Sequence, residues 1–132
     1  MNPAYFETHF RFAAGTAPDA WPIEFGIISA YATTGEHWSV DQNQTADRML
    51  ETEIRHRSVW LRRVVGYSPI SGHAEPSWAV ELPCDDARRL GRCFKQDAIY
   101  YVRGDELFVT LCDDGSQLVP VGGFRGRLHE CQ

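Results

Sequence analysis

Most signatures of a definable activity are missing from this chain. Its four cysteines, at 84, 93, 112 and 131, form no C-x-x-C pair, which excludes a zinc knuckle and a thioredoxin-like motif. There is no H-x-x-x-H pair, no G-x-S-x-G elbow, no P-loop and no G-x-G-x-x-G. Gly122-Gly-Phe-Arg-Gly follows no strand–helix context and reads as flexible tail. No apolar run approaches the roughly 20 residues that cross a bilayer. The opening Met-Asn-Pro-Ala-Tyr-Phe-Glu has no basic segment leading into an apolar one, so a signal peptide is not expected. A soluble, cytoplasmic protein with reduced cysteines is the expectation, with Cys93 a small core residue and Cys131 a tail thiol. No cofactor motif is present and no cofactor is expected. Internal repeats, low-complexity blocks and dividing linkers are also absent.

What remains is an ordinary globular composition. The 132 residues are 43% hydrophobic and 23% charged, which fits one domain around one core. The formal net charge of −5 argues against broad electrostatic binding of nucleic acid. Charge is uneven, however: Arg55, Arg57, Arg62, Arg63, Arg88, Arg89, Arg92 and Lys95 fall mid-chain, leaving a local basic face available.

Periodicity supplies the elements. Tyr5–Phe12 alternates, with Phe6, Thr8, Phe10 and Phe12 bracketing Glu7, His9 and Arg11, which marks a strand with one buried face. Gly15-Thr-Ala-Pro-Asp is a turn. Phe25–Tyr31 is a short apolar run typical of a central strand. Ser39 begins a helix, and with Gln42 it fits the S-x-x-Q capping box. Asp41 suits the helix dipole at one end, and Arg55, His56 and Arg57 suit it at the other. Ala46, Met49, Leu50 and Ile54 make the expected apolar stripe. Val59–Tyr67 is a strand, 68–76 a loop and Ser77–Leu82 a strand. A second helix follows with Asp85 as its cap and Ala87, Leu90, Cys93 and Phe94 inward. Ala98–Val102 and Leu107–Leu111 form a hairpin across Arg103-Gly-Asp-Glu. Residues 1–112 are read as one α+β domain of order β-β-α-β-β-α-β-β: a single mixed sheet with two helices on one face. Residues 113–132 are read as an irregular Gly-rich tail that either docks through Phe124 and Leu128 or frays.

Topology then locates a site. If each helix crosses over between parallel strands, strands 25–31 and 59–67 end at the same rim where strands 77–82 and 98–102 begin. The first strand's beginning and Cys112 arrive there too. That rim gathers Tyr31, Thr33, Thr34, the capped helix start, His73, Glu75, Ser77 and Gln96, and a polar rim beside a helix N-terminus is where open α/β sheets bind ligands. Asn43 shares the inward stripe of Ala46 and Leu50. A buried amide without partners costs about 1–3 kcal/mol, so Asn43 bonds to the strand-end loops, to water or to a ligand. Ligand candidates are therefore Thr33, Thr34, Asn43, Glu75, Ser77 and Gln96, with Glu75 the candidate acid/base. Each also has a structural reading, as a loop clamp or a helix end. His37 and His73, with Glu36 and Glu75, are weak metal candidates because nothing in their spacing requires an ion. Cys112 beside Asp113 and Asp114 is a disfavoured thiolate. Arg88, Arg89, Arg92 and Lys95 avoid the apolar stripe and read as a solvated row or a docking surface for an acidic partner.

The order "FGIISAYATTG", "SVDQNQTADRMLETEI", "EPSWAV", "LGRCFKQDAIYY" resembles the bacterial family known as domain of unknown function 3293 (DUF3293), over roughly residues 5–112. The matching positions are Ala30, Ser39, Asn43, Glu75, Pro76, Ser77, Gln96, Ala98 and Ile99. The chain departs from the pattern at Ala32-Thr33-Thr34-Gly35, where the family carries Asn-Pro, and at Lys95, where it often carries glycine. The resemblance implies a small bacterial or phage-borne protein and supplies no activity.

Because no complete catalytic constellation is visible, the expected function is a binding or interaction module with a protein partner, regulatory in character. The first alternative is a small-ligand or nucleotide-handling enzyme at the polar rim, which needs Asn43, Glu75 and Gln96 in one concavity. The second is nucleic-acid binding through the arginines. No membrane contact is expected.

Overall fold

The computed structural model describes residues 1–13, 15–16, 20–32 and 36–131. A 3-10 turn, Pro3–Phe6, opens the chain. The strands are β1 (His9–Ala13), β2 (Glu24–Ile28), β3 (Leu61–Tyr67), β4 (Ala74–Val80), β5 (Ala98–Arg103), β6 (Glu106–Leu111), β7 (Val119–Gly123) and β8 (Leu128–Cys131). Helix α1 (Val40–His56) joins β2 to β3, and α2 (Cys84–Cys93) joins β4 to β5. The architecture is α+β, with the strands in one sheet of order β7-β6-β5-β2-β4-β3-β1-β8. It is mixed only because β8 runs parallel to β1; every other neighbouring pair is antiparallel.

Each crossover returns the chain in the direction it left, but not beside the strand it left. β4 lies between β2 and β3, and β2 lies between β4 and β5. The rim assignment depends only on strand direction, so it survives this change of neighbours. The 113–132 segment is not an irregular tail. It holds β7, a 3-10 turn at Arg125–Arg127 and β8, and Phe124 is 2% exposed. Glycines at 122 and 123 hid a short strand whose hydrogen bonds to β6 do not depend on side chains.

That last segment forces the sheet to curl. A flat sheet of eight strands at about 4.8 Å spacing would hold its edges roughly 34 Å apart. The edges here are β7 and β8, joined by residues 124–127 alone, a span of at most about 18 Å. The concave face carries Phe10, Phe25, Ile27, Val64, Ala79, Val102 and Leu107, with Phe124 packed among them. Phe124 meets the rings of Phe25 and Trp21 at 5.3 Å each. Arg127 spans the gap, donating to the carbonyls of Phe6 and Thr8 on one side and Val121 on the other.

The convex face carries Ile28, Trp78, Val80, Ile99 and Tyr101, and both helices cover it. The capping box is formed: Gln42 N–H donates to Ser39 Oγ at 3.1 Å, and Ser39 N–H donates to Gln42 Oε1 at 2.8 Å. Leu50 and Ile54 are fully buried, each contributing about 1.5–3 kcal/mol by leaving water. Met49 is not in the stripe; it is 60% exposed, and Asp47 takes an inward position instead. The carboxylate of Asp47 receives both Nη atoms of Arg63, at 2.9 and 2.5 Å. The Arg63 guanidinium also lies 3.9 Å over the ring of Trp78.

Helix α2 approaches the sheet through Ala87 and Gly91. A Cβ on Gly91 would stand 2.7 Å from Ile99 Cγ2 and 2.9 Å from Cys112 Sγ. With Gly91 inward, Cys93 is turned out and exposed, contrary to its reading as a core residue. Pro83 stands at the N-cap without a side-chain bond, and Asp85, expected as the cap, sits in the first turn and accepts from Arg88.

Candidate functional site

The concave face opens at the predicted rim into a cavity of about 380 Å³. Alternation on the strands decides who lines it. Ser29 continues the face of Ile27, Ser77 and Glu75 continue that of Ala79, and Ala98 and Tyr100 continue that of Val102. Thr8 and Phe10 close one side, and the β3–β4 turn contributes Ser68, Ser71 and His73. The 3-10 turn at Pro3–Phe6 lies across the mouth with Tyr5. The Tyr100 hydroxyl holds it there, 2.8 Å from the Tyr5 carbonyl and 2.8 Å from Thr8 Oγ1.

Glu75 is in β4, not in a loop, because the β3–β4 hairpin extends to the pair Tyr67↔Ala74. Pro76 is tolerated there since the pairing of β2 with β4 ends at Trp78, leaving the proline flanked by β3 alone. The Glu75 carboxylate accepts from His73 Nε2 at 3.3 Å, with His73 mostly exposed at the rim. Ser77 is buried, its hydroxyl donating to the Glu75 carbonyl at 3.3 Å.

Four expected site residues therefore line one cavity: His73, Glu75, Ser77 and Gln96. Asn43 does not. Its Oδ1 accepts from Ala32 N–H at 2.8 Å, on the helix side of the sheet. The concavity shared by Asn43, Glu75 and Gln96 is not formed. Gln96 reaches the rim because α2 ends in a Schellman turn: Gln96 N–H donates to the Gly91 carbonyl and Lys95 N–H to that of Arg92, both at 3.0 Å. Its Nε2 then donates to the Tyr31 carbonyl at 2.8 Å. Thr33 and Thr34 lie outside the described residues. His37 is exposed and lines no described cavity. Among the described residues, no three His, Cys, Asp or Glu side chains gather as a metal site.

Of the row Arg88, Arg89, Arg92 and Lys95, only Arg88 leaves the solvated face; the other three are exposed. Arg88 is 6% exposed, donating to Thr110 Oγ1, Asp85 and the Ser116 carbonyl. It shares the stripe of Cys84, Ala87 and Gly91 at helical spacing and reaches its partners across the sheet. Arg89 is opposed by Asp86 and Asp114, and Arg92 by Asp114. Lys95 lies 6.0 Å from the Trp38 ring.

Sequence reasoning missed Tyr5, Ser29 and Tyr100 as lining residues. For Ser29 the signal was present, two residues beyond Ile27 on the same face. Electrostatically, burial keeps the Tyr100 phenol protonated well above its ordinary range. Burial, then Asp97 and Glu75, push the Tyr5 phenol up as well. Burial and Asp113 push the Cys112 thiol up to about 12, so it is no nucleophile at neutral pH. Among the described residues, no serine or cysteine side chain hydrogen-bonds to the His73 ring. Among the described residues, the cavity offers polar groups able to bind.

No described helix is long and apolar enough to cross a membrane. The sequence model of the family described as "Protein of unknown function (DUF3293)" matches residues 28–99. No curated protein and no solved structure matches the chain.

Proposed function

The chain belongs to the DUF3293 family, whose function is unknown, and on that footing we propose that it is a binding domain for a small organic molecule, held in the cavity at the open end of the curled sheet. One observation carries the reading: a concavity of about 380 Å³ has a strand-borne wall of apolar Phe10 and Ile27 with polar Glu75 and Ser77, completed by the N-terminal turn, the β3–β4 turn and Gln96. Ligand sites are typically concavities of about 300–1,000 Å³ with few, fixed polar groups, and barrel mouths are a common place for them. Positions on strands vary less than positions on loops, so the strand-borne wall is formed before a ligand arrives. Binding is favoured over catalysis because the serines around His73 are not bonded to its ring.

A fragment screen read by backbone amide chemical shifts tests this. Hits are expected to move Ser29, Gly66, Glu75, Ser77 and Ala98 together. Ala98→Leu, which adds volume on the cavity wall, should abolish those shifts while leaving the chain folded. A screen without hits, or hits that bind Ala98→Leu unchanged, would overturn the reading.

A further inference from the structure

Resting on that reading, we infer that the cavity takes an organic cation, an ammonium group on a small apolar body, and discriminates against phosphate and carboxylate ligands. The chain has thirteen lysines and arginines, yet none of them lines the cavity. Among the described residues its charged lining consists of two carboxylates, Glu7 and Glu75, with His73 at the rim. An anion would enter against both carboxylates with no guanidinium to receive it, whereas phosphate sites recruit arginine, lysine or helix N-termini. The arginines near the wall are engaged elsewhere: Arg11 lies 4.8 Å over the ring of Tyr67, and Arg127 Nη1 donates to the carbonyls of Phe6 and Thr8 at 3.0 Å each.

The walls add a second reason. Tyr5, Phe10 and Tyr100 line the cavity, whereas the ring of Tyr67 packs against His9, Arg11 and His129. Tyr5 and Tyr100 meet edge to face at 6.2 Å, and Phe10 and Tyr100 do so at 5.2 Å. Aromatic faces attract a cation through the ring quadrupole, and more strongly when it is desolvated. Beyond burial, Asp97 and Glu75 both contribute to raising the Tyr5 phenol, so their negative field reaches that wall, while at Tyr100 the opposing field of Arg127 outweighs that of Glu75. A carboxylate beside aromatic rings, with no lysine or arginine on the lining itself, is a receptor for a protonated or quaternary amine.

The test uses the full chain and three probes of nearly equal shape: choline, its neutral isostere 3,3-dimethylbutan-1-ol, and the anion 3,3-dimethylbutanoate. Titrations are followed by amide shifts at Ser29, Glu75, Ser77 and Ala98. Choline is expected to bind at least tenfold more tightly than the alcohol, and the anion not to bind. Glu75→Gln should reduce choline affinity about tenfold and leave the alcohol unchanged. If the alcohol or the anion occupies the cavity as well as choline does, the cation inference is overturned and the binding domain stands. If none of the three moves a cavity residue, the cation inference is overturned, and the fragment screen alone decides the binding domain. The probe series on the unsubstituted chain decides the matter even if Glu75→Gln fails to fold.

Discussion

Asn43 and Gln96 grip opposite ends of one peptide group. The unit joining Tyr31 to Ala32 donates its N–H to Asn43 Oδ1 and accepts Gln96 Nε2 at its C=O, each at 2.8 Å. One amide comes from the first turn of α1 and the other from just beyond α2, so both helices are fixed to the exit of β2. Asn43→Ala and Gln96→Ala are each expected to cost about 1–2 kcal/mol, since each leaves half of a part-buried peptide unsatisfied. The two losses should not add. Once one amide is gone the peptide turns toward water, so a double-mutant cycle in urea should show coupling of about 0.5 kcal/mol or more. Strict additivity would show that the two bonds act separately.

Lys95 holds a conformation that suits glycine. It is the left-handed residue of the Schellman turn, with φ of 62°. A side chain there costs about 1–2 kcal/mol relative to a relaxed backbone, and the resemblance noted above implies glycine at this position. Lys95→Gly should therefore stabilise the chain, by about 0.5–1 kcal/mol after the loss of the Trp38 contact. Lys95→Val should destabilise it. Thermal unfolding of the two variants measures the difference, and equal melting temperatures would contradict the strain.

The order of elements was legible because periods of 2 and 3.6 residues are local properties. So was the rim, since a crossover's direction does not depend on which strand the chain returns beside. Neighbour order was not legible: nothing in β4 says that it inserts between β2 and β3. Residues whose burial depends on a distant partner were misread for the same reason. Asp47 turns inward because Arg63 arrives from β3, and Arg88 because Thr110 and the Ser116 carbonyl arrive from beyond α2. The polar rim was foreseen but its concavity was not. Concavity requires the sheet to curl, and the curl is imposed by β7 and β8, in the stretch whose glycines resemble a loose tail.

The Asp47–Arg63 pair gives a third expectation. Side-chain exposure is 11% for the aspartate and 38% for the arginine, so the pair is half-shielded. Breaking a fully buried pair costs about 3–5 kcal/mol, and exposed pairs contribute about 0–1. Asp47→Ala should fall between, at about 1–3 kcal/mol, and Asp47→Asn should cost less because one bond to Arg63 survives. Arg63 also lies on Trp78, whose buried indole N–H has no partner among the described residues. Releasing Arg63 should therefore change the tryptophan fluorescence as well as the stability. An Asp47→Ala variant with unchanged emission and unchanged midpoint would remove the pair from the account.

Stability should fall on the alkaline side. Burial raises the Cys112 thiol from 9.0 to about 12 and the Tyr101 phenol from 10.0 to about 12. Both are acids whose neutral form the fold protects. In the unfolded chain they lose their protons from pH 9 or 10 upward, while in the folded chain they keep them until about 12. The unfolded state then binds fewer protons, so unfolding becomes easier as pH rises through that window. Below pH 9 these two groups impose no slope. Each removes up to about 1.4 kcal/mol per pH unit inside its own window. Cys112→Ala should lower the melting temperature at neutral pH by losing packing, yet flatten its decline above pH 9. The same burial protects the thiol from reagents: Cys93, exposed at the end of α2, should be alkylated rapidly at pH 8, and Cys112 only on unfolding. Equal labelling of the two, or a melting temperature that does not fall between pH 9 and 11, would contradict a thiol sealed beneath α2.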